Sequence, residues 1–425
     1  MKKPKIAILT IRNSYDYGGV LSSLRVVHNF CSTYFQPTVF FLGFTPDIAT
    51  SLRSFKLTSS LKPISYFGMN CIEVGARWAF WEPGHYWFTL DTWEELFAEY
   101  DYFFVVSGTC IAAHPLMLLN KKFVMWVGTA YNDDRSERVK HLTGMRKIIN
   151  TFAEIPMNNI EFNVLQSSKF TWAISNYAKQ AFEGKLGGGQ PNLTRCGYPV
   201  DTSFYQLPAG KTLEREDIII AIGRFSDPRK NIDMLLRSFD LIYQQSPHLK
   251  LYVIGMKPES EKLLPYVDLA SYENIVFTGQ VSGEDLHNLC RRARLMLITS
   301  FQEGLAIVGL EAMMYGVPVI ATKCGGPLDY VIDDETGYLV DINDDASMAH
   351  YALQILNTPT LEARLSKNAL KLIKKNFSQQ KTYELFQQGL IATYPELVQL
   401  FRQYTEGLDH EHRGDQSHVH LPHQP

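Results

Sequence analysis

Short apolar runs alternate with amphipathic stretches along most of this 425-residue chain. The runs have the length of buried strands, and the stretches between them repeat apolar residues at helical spacing. We predict strands at residues 5–10, 38–43, 102–106, 123–127, 171–175, 217–222, 250–255, 275–279, 294–299, 317–322 and 337–340. Strands that alternate with helices in this way predict an α/β fold built on doubly wound parallel sheets.

The chain is too long for one ordinary hydrophobic core and therefore predicts at least two domains. Pro208, Gly210 and a run of charges lie within residues 207–216, a composition typical of a linker. We therefore predict an N-terminal domain over residues 1–206 and a C-terminal domain over residues 207–385.

The end of the chain shows helical periodicity over residues 377–401. We expect a terminal helix over residues 386–407 and a disordered, histidine-rich tail over residues 408–425. The histidines of the tail are irregularly spaced, so a disordered end is a better interpretation than a metal site.

The composition of the chain argues against several classes of protein. With 45% hydrophobic and 20% charged residues the chain is globular, and a net charge of −3 argues against a nucleic-acid binder. The six cysteines are scattered without a C-x-x-C pair, and we find no secretory signal, so we expect reduced thiols in a cytoplasmic protein. No uninterrupted apolar run reaches ~18 residues, which predicts no transmembrane helix and leaves peripheral membrane contact open. No basic amphipathic helix stands out in the sequence.

The stretch from residue 299 to 340 carries the clearest chemical pattern. A predicted strand ends at Thr299, a turn follows at Glu303-Gly304, and a helical pattern then runs past Glu311. The start of a helix presents unpaired N–H groups that suit a phosphate. Carboxylates on either side of such a site fit the hydroxyls of a ribose and a sugar. The alternative is an ordinary βαβ unit in which Glu303 is a first-turn acid and Glu311 is solvated.

Glycines follow the first predicted strand as well. Gly18 and Gly19 precede a helical pattern, as in a nucleotide-binding half-domain, but they do not form the G-x-G-x-x-G fingerprint. A tight turn and a phosphate-facing loop are equally good interpretations of this pair.

These motifs resemble the retaining family-four glycosyltransferases, which have the GT-B architecture and an E-x7-E motif. The matching residues are Glu303-Gly304-Leu305, Glu311-Ala312-Met313, Gly316-Val317-Pro318-Val319-Ile320-Ala321, Gly325-Gly326, Gly337-Tyr338-Leu339-Val340, Gly223-Arg224-Phe225 and Lys230-Asn231. Asp329 departs from the pattern, because many members carry Glu after the paired glycines. The resemblance implies two Rossmann-like domains that face each other across a cleft, with a final helix that crosses back to the first domain.

The resemblance also assigns roles within the site. Glu303 would hold donor-sugar hydroxyls and Glu311 the ribose hydroxyls. The N–H groups near Leu305 and Ala306 would bind phosphate, and the segment Gly279-Gln280-Val281 would hold the base. The loop of Gly18 and Gly19 would approach the diphosphate from the N-terminal domain.

Arg224 and Lys230 lie in the loop that begins at Gly223, after the predicted strand 217–222. If this loop faces the helix that begins near Gly304, both cations converge on a leaving diphosphate and no metal is needed. The alternative is two exposed basic residues in a polar loop. We see no Asp-x-Asp metal motif in a matching context.

The resemblance implies a retaining transferase that moves a hexose from UDP or GDP to a saccharide or lipid-linked acceptor, in polysaccharide or glycoconjugate biosynthesis. The partners are thus a nucleotide sugar and its acceptor, with no metal or other cofactor. The alternatives are an inactive GT-B scaffold subunit and a GT-B nucleotide-sugar epimerase.

Three further features have open interpretations. Loops after the strands at 102–106 and 123–127 are candidates for acceptor contacts, although Asp133-Asp134-Arg135 also fits a solvated turn with a local ion pair. His114 is best interpreted as a loop histidine. The aromatic residues between 51 and 90 indicate a core or an interdomain wall, or alternatively an acceptor-binding or membrane-touching surface. They are Trp78, Phe80, Trp81, Tyr86, Trp87 and Phe88.

Overall fold

The computed structural model describes residues 3–11, 18–43, 48–50, 60–76, 90–140, 143–201 and 215–404. The aromatic run from Trp78 to Phe88, most of the predicted linker and the histidine-rich tail lie outside the described residues.

The strands occupy the following ranges. They are β1 (Lys5–Ile11), β2 (Gln36–Gly43), β3 (Leu61–Tyr66), β4 (Met69–Gly75), β5 (Tyr102–Ser107), β6 (Val124–Val127), β7 (Phe170–Ala173), β8 (Leu193–Arg195), β9 (Ile218–Ile222), β10 (Lys250–Ile254), β11 (Ile275–Gly279), β12 (Leu295–Ile298), β13 (Val319–Thr322) and β14 (Gly337–Val340).

The α-helices lie between and after these strands. They are α1 (Gly19–Tyr34), α2 (Leu90–Phe97), α3 (His114–Leu118), α4 (Tyr131–Lys140), α5 (Gly144–Ser167), α6 (Asn176–Leu186), α7 (Ile232–Tyr243), α8 (Ser260–Leu263), α9 (Gly283–Arg292), α10 (Ile307–Met314), α11 (Asp345–Leu356), α12 (Pro359–Asn376) and α13 (Gln379–Thr393).

The chain divides into two compact units. The first comprises Met1–Val127, Phe162–Thr171 and Tyr383–Pro425, and the second comprises Gly128–Glu161 and Trp172–Thr382. The domain limits that the sequence indicates, at residues 206 and 385, stay a prediction.

One sheet has eight strands in the order β3-β4-β2-β1-β5-β6-β7-β8. β1 pairs in parallel with β2 and β5, whereas β3 and β4 form an antiparallel hairpin. The sequence pattern did not predict this hairpin. β3 is mostly exposed and contains Pro63, so it lacks both the apolar run of a buried strand and the composition of a central one.

The C-terminal residues of the first unit complete its aromatic core. The ring of Phe386 on α13 lies 5.4 Å from Phe30, 5.2 Å from Phe104 and 5.2 Å from Trp126, between ring centroids. The predicted continuous helix over 377–401 is wrong in detail, because the helix breaks after Thr393 and resumes at Leu397. Pro395 lies in the break and cannot donate a helical hydrogen bond.

The second unit contains a six-stranded sheet in the order β11-β10-β9-β12-β13-β14, with every neighbouring pair parallel. All six of its strands were predicted from their apolar runs. Helix α7 contributes fully buried Leu235, Leu236 and Phe239 to the core on one face of this sheet. The predicted doubly wound α/β fold with two parallel-sheet domains is therefore confirmed.

Among the helices that the structure describes, none has both the length and the apolar character to cross a membrane.

Candidate active site

The candidate site lies where two neighbouring parallel strands end. β9 leads into residues 223–231, which we call the β9 loop, and β12 leads into residues 299–306, the β12 loop. Because β9 and β12 pair directly, both loops leave the same edge of the sheet, where ligands of open α/β sheets bind. The hydroxyl of Thr299 donates to the Lys230 carbonyl at 3.0 Å, and the Phe301 N–H donates to the Arg229 carbonyl at 2.7 Å. The two predicted loops thus come together.

Lys230 and Glu303 form the central ion pair of this site. Lys230 Nζ donates to Glu303 Oε1 at 2.5 Å, and Ser300 Oγ donates to the same oxygen at 2.6 Å. The Glu303 side chain is only 13% exposed. Burial raises the pKa of Glu303, but the Lys230 charge and the hydrogen bonds from Lys230 and Ser300 outweigh it and lower the pKa overall. Glu303 is therefore an ionised acceptor at neutral pH.

The backbone around Glu303 is fixed by the paired glycines. The Glu303 N–H donates to the Cys324 carbonyl at 2.8 Å, and the Gly326 N–H donates to the Glu303 carbonyl at 2.8 Å. A Cβ at Gly326 would lie 2.2 Å from the Leu305 Cα, so only glycine fits there. The Gly325-Gly326 pair thus holds the β12 loop in its observed shape.

Helix α10 begins at Ile307, three residues after the predicted start near Gly304. Ala306 has a left-handed backbone with φ 58°, which delays the start of the helix, and both Leu305 and Ala306 are buried. No side chain caps this end of α10 among the described residues. At the other end Arg215 donates to the carbonyls of Tyr315 and Gly316 at 2.9 and 2.8 Å. In the first turn the Gly309 N–H donates to the Ala306 carbonyl at 2.9 Å, which leaves the N–H groups of Ile307 and Val308 as the donors that suit an anion.

Glu311 lies in the second turn of α10 and is half-buried. Burial raises the pKa of Glu311 to about 7. The half-buried position of Glu311 does not fit the alternative of a fully solvated helix residue, and its assignment to the ribose hydroxyls stays a prediction.

Arg229 is a site residue that the sequence pattern missed. Its guanidinium donates to Asp134 Oδ1 at 2.7 Å and to Asp227 Oδ2 at 2.9 Å. Arg224 NH2 lies 3.8 Å from the same Asp227 oxygen. Burial lowers the pKa of Arg229. The hydrogen bond to Asp227 and the charges of Asp134, Asp227 and Glu303 raise it by more, so the pKa is raised overall and Arg229 is a permanent cation. The position of Arg229 in the same loop as Arg224 could have pointed to it in the sequence.

The loop after β6 also reaches this site. Asp133, Asp134 and Arg135 lie in helix α4, so the predicted solvated turn is wrong. The ion pair of Asp134 is long-range rather than local, since its partner is Arg229. A Cβ at Gly304 would lie 2.6 Å from the Gly128 carbonyl oxygen, so the loop after β6 packs directly against the β12 loop.

The glycines at the ends of β9, β10 and β11 lie side by side. The Gly223 N–H donates to the Ile254 carbonyl, and the Gly255 N–H donates to the Gly279 carbonyl, both at 2.9 Å. Gln280 is exposed and Val281 half-buried directly after β11, at the same edge of the sheet as the β9 loop.

Gly18 and Gly19 lie in the first unit. Gly18 has φ 115° and precedes α1, whose first residue is Gly19 and whose start has no side-chain cap among the described residues. A positive φ requires the freedom of glycine at Gly18.

The structure also changes the interpretation of His114 and Asp329. His114 is the first residue of α3 and is buried, so it is not a loop histidine. Asp329 accepts hydrogen bonds from the Asn176 N–H at 3.0 Å and from Arg195 Nε at 2.6 Å. Its shorter side chain therefore has a structural role at the start of α6.

Residues 207–372 match the family Glycosyl transferases group 1. This segment contains the β9 loop, the β12 loop and helix α10 of the candidate site. The predicted resemblance to glycosyltransferases is confirmed for this segment, and the retaining mechanism stays a prediction.

The capsular polysaccharide biosynthesis glycosyltransferase CapM of Staphylococcus aureus is 28% identical over 225 residues, or 52% of this chain and 58% of the relative. The chain spans about half the length of the curated relatives it matches.

Solved structures show the fold. Sucrose-phosphate synthase of Thermosynechococcus elongatus has a TM-score of 0.69 at 18% identity, covering 95% of this chain and 100% of that one. HepE of Anabaena in complex with UDP-glucose has a TM-score of 0.68 at 16% identity, covering 91% of this chain and 99% of that one. The chain therefore has the GT-B fold of these glycosyltransferases.

Proposed function

We propose that the protein is a retaining glycosyltransferase. It moves a hexose from a UDP- or GDP-sugar to a saccharide or lipid-linked acceptor, in polysaccharide or glycoconjugate biosynthesis. The observation that carries this proposal is the buried Lys230–Glu303 ion pair beside the uncapped start of α10. A cation, an ionised acceptor and orphan N–H groups in one place fit a diphosphate joined to a polyhydroxyl sugar.

The chemistry requires stabilisation of the leaving diphosphate. Negative charge grows on the phosphate oxygen as its bond to the anomeric carbon breaks. Arg224, Lys230 and the first N–H groups of α10 would balance this charge. Glu303 is ionised, so it accepts hydrogen bonds from sugar hydroxyls rather than donating a proton. The acceptor oxygen forms the new bond on the same face, and its proton passes to the departing phosphate oxygen.

The donor and its nucleotide are tested with a panel of UDP-hexoses, GDP-hexoses and UDP-N-acetylhexosamines. The assay measures slow release of the nucleoside diphosphate by the full chain, with Glu311→Ala and Lys230→Ala beside it. We expect release from one donor, strongly reduced in both variants. If no donor releases its nucleotide, the transferase proposal fails and an inactive scaffold becomes the better interpretation.

The reaction is proposed to need no divalent metal, because Arg224 and Lys230 supply the positive charge at the leaving group. We expect EDTA to leave nucleotide release unchanged to within about twofold. If EDTA abolishes nucleotide release and Mg²⁺ or Mn²⁺ restores it, the proposal that protein side chains alone supply the positive charge is contradicted.

Glu311 is proposed to bind the ribose hydroxyls, which makes donor binding pH-dependent. Burial raises the pKa of Glu311 to about 7, so the carboxylate that accepts two hydroxyl hydrogen bonds prevails above that pH and is protonated below it. We expect the donor KM to rise as the pH falls from about 8 to about 6. Glu311→Gln should weaken binding and flatten this profile. An unchanged profile in Glu311→Gln would assign the titration to another group.

The protein is also proposed to touch an anionic membrane surface through α5. Ile148, Phe152 and Ile155 are 52%, 73% and 70% exposed and lie on one face at i, i+4 and i+7. Exposed Lys147 precedes them, which fits negatively charged headgroups. Such a contact would bring the enzyme to a lipid-linked acceptor.

Vesicle sedimentation tests this face of α5. We expect the wild type to bind vesicles rich in phosphatidylglycerol, and the double variant Phe152→Ser/Ile155→Ser to lose most of that binding. Leu264→Ser removes another exposed apolar side chain and should have no effect. A wild type that stays in the supernatant would refute the membrane contact.

A cytoplasmic location is part of the proposal. All six cysteines are buried thiols outside any disulfide, as is usual for proteins of a reducing compartment.

A further inference from the structure

A cleft of the first unit takes no part in the proposed chemistry. It lies between helix α1 and the turn that joins β3 to β4, and its volume is about 460 Å³. Small-molecule sites usually have volumes of about 300–1,000 Å³, so a sugar fits. The residues that line the cleft are Arg25, His28, Asn29, Phe67, Gly68 and Met69.

The cleft lies at the edge of the sheet where its parallel strands begin. β4 pairs in parallel with β2, and the Phe67-Gly68 turn comes just before the first residue of β4. Ligands of open α/β sheets bind at the other edge, where the strands end and where the loop after β5 leaves the sheet. The cleft is therefore separate from that candidate acceptor loop.

Arg25 supplies the positive charge of the cleft. Its side chain is exposed, and its guanidinium carbon lies 4.1 Å from the centre of the Phe67 ring. Stacking uses the face of a guanidinium and leaves the N–H groups at its edge for a ligand. In the described ranges no carboxylate pairs with Arg25, and none of the six lining residues is acidic, although the chain has a net charge of −3. The cleft therefore favours an anion.

Two polar side chains lie next to Arg25. His28 and Asn29 follow it on α1 at i+3 and i+4, so the three residues share one side of the helix. His28 is half-buried, with Nδ1 3.4 Å from Ser32 Oγ, and Asn29 is exposed. An amide and an imidazole can bind sugar hydroxyls, while the arginine fork suits a carboxylate or a phosphate.

Phe67 has a backbone conformation that phenylalanine rarely adopts. φ is 49° at Phe67 and 77° at Gly68, as in two-residue hairpin turns that favour asparagine followed by glycine. The side chain is 55% exposed, so burial in the core does not explain its presence. Tyr66 packs edge-on against the ring at 4.7 Å between centroids. Strained residues of this kind cluster at ligand-binding sites, and the ring gives the cleft an apolar wall.

We propose that this cleft binds an acidic sugar, with the carboxylate or phosphate on Arg25 and the sugar ring beside Phe67. The choice of a saccharide rests on the proposed function, which it deepens, because the acceptor or the product would carry anionic groups. A site at the beginning of the strands would hold a part of the saccharide other than the part that reacts.

Calorimetry with the full chain tests the ligand class. The probes are tetragalacturonate, glucose 6-phosphate, inorganic phosphate and the neutral sugar maltotetraose. We expect at least one of the two acidic sugars to bind at least about tenfold more tightly than inorganic phosphate and than maltotetraose. Equal affinity for inorganic phosphate would indicate a site for a free anion and overturn the proposal. Equal affinity for maltotetraose, or no binding of either acidic sugar, would overturn it too.

Variants locate the binding in the cleft. Arg25→Gln keeps a planar end group without the charge and should weaken the acidic sugar by roughly 10- to 100-fold. Arg402→Gln removes another exposed arginine of the same unit and should bind like the wild type. An equal loss in both variants would assign the binding to overall charge and overturn the cleft site.

Phe67→Asn separates binding from stability. Asparagine tolerates a left-handed backbone better than phenylalanine does, so the Tm should stay the same or rise. The affinity for the acidic sugar should nevertheless fall, since the apolar wall is lost. An unchanged affinity would overturn the role of the ring.

Release of nucleotide from the donor without an acceptor distinguishes failure of this inference from failure of the proposed function. Arg25→Gln should release nucleotide within about twofold of the wild-type rate, because Arg25 lies outside the proposed donor site. A wild type that releases nucleotide but binds no acidic sugar would overturn the cleft site alone. A wild type that binds the acidic sugar but releases nucleotide from no donor would overturn the transferase proposal alone.

Discussion

Replacement of Lys230 by alanine is expected to lower kcat/KM for the donor by about 10²- to 10³-fold, as for loss of one preorganised group at a developing negative charge. Lys230 is the cation closest to Glu303, at 2.5 Å, and both side chains are largely buried. The substitution removes the charge that meets the leaving diphosphate. It also leaves the Glu303 carboxylate without its ammonium partner. Steady-state release of the nucleoside diphosphate measures the effect.

Lys323→Ala is the matched control for Lys230→Ala. Lys323 follows β13 in the same unit and pairs with Asp341 at 2.8 Å, but half of its side chain is exposed. Such a surface pair contributes little, so we expect kcat/KM to stay within about twofold of the wild type. A change in Lys230→Ala that is no larger than the change in Lys323→Ala would remove Lys230 from the catalytic proposal.

Replacement of Lys185 by alanine is expected to cost about 3–5 kcal/mol of unfolding free energy, the usual loss when one partner of a buried ion pair is removed. Glu161 is fully buried and accepts hydrogen bonds from Lys185 and, at 2.8 Å, from the Tyr131 N–H. Loss of Lys185 removes a charge and a hydrogen bond that lower the pKa of Glu161, so the buried carboxyl either stays ionised without its ammonium partner or takes up a proton. Urea unfolding of the full chain measures the loss.

The pH dependence of this loss has a definite sign. Burial raises the pKa of Glu161 in the folded protein despite the opposing charge of Lys185. Protonated Glu161 therefore stabilises the fold below the unfolded pKa, and this stability is lost as the pH rises through the folded pKa. The effect of Lys185→Ala should be larger at about pH 8 than at about pH 5. Lys179→Ala, which breaks a partly exposed i,i+4 pair with Glu183 on the same helix, should cost less than about 1 kcal/mol at either pH. Equal costs for the two variants would contradict the stabilising role of the buried Lys185–Glu161 pair.

The fold of the second unit could be predicted because each of its strands appears in the sequence as an apolar run. β9, β12 and β13 are largely apolar on both faces, as parallel strands covered by helices must be, and are bounded by glycine, proline or polar residues. The hairpin of β3 and β4 lacked this signal. Its outer strand exposes both faces and contains a proline, so nothing in its composition distinguishes it from a loop.

The candidate site was predictable where the residues that form it lie close together in the sequence. Glu303, Gly304 and the start of a helix lie within a few residues, and the loop containing Arg224 and Lys230 follows a recognisable strand. The left-handed Ala306 was not predictable, since alanine is among the best helix formers. The contact of Arg229 with Asp134 was not predictable either, because it joins residues far apart in the chain.

The exposed face of α5 shows a different limit of sequence patterns. Ile148, Phe152 and Ile155 have the i, i+4, i+7 spacing of an ordinary buried helix face. Such a pattern is typical of a helix but does not say whether the apolar side of that helix meets the core or the surface. Only their exposure in the structure separates the two cases.

The central claim is that a nucleotide sugar binds at the Lys230–Glu303 pair. Calorimetric titration of UDP- and GDP-sugars into the wild type and into Lys230→Ala tests it most directly. We predict that one donor binds the wild type in the range of about 1 μM to 1 mM, typical of enzyme substrates, and that Lys230→Ala weakens it by at least about tenfold. No measurable binding of any donor to the wild type, or equal affinities in the two proteins, would contradict the claim.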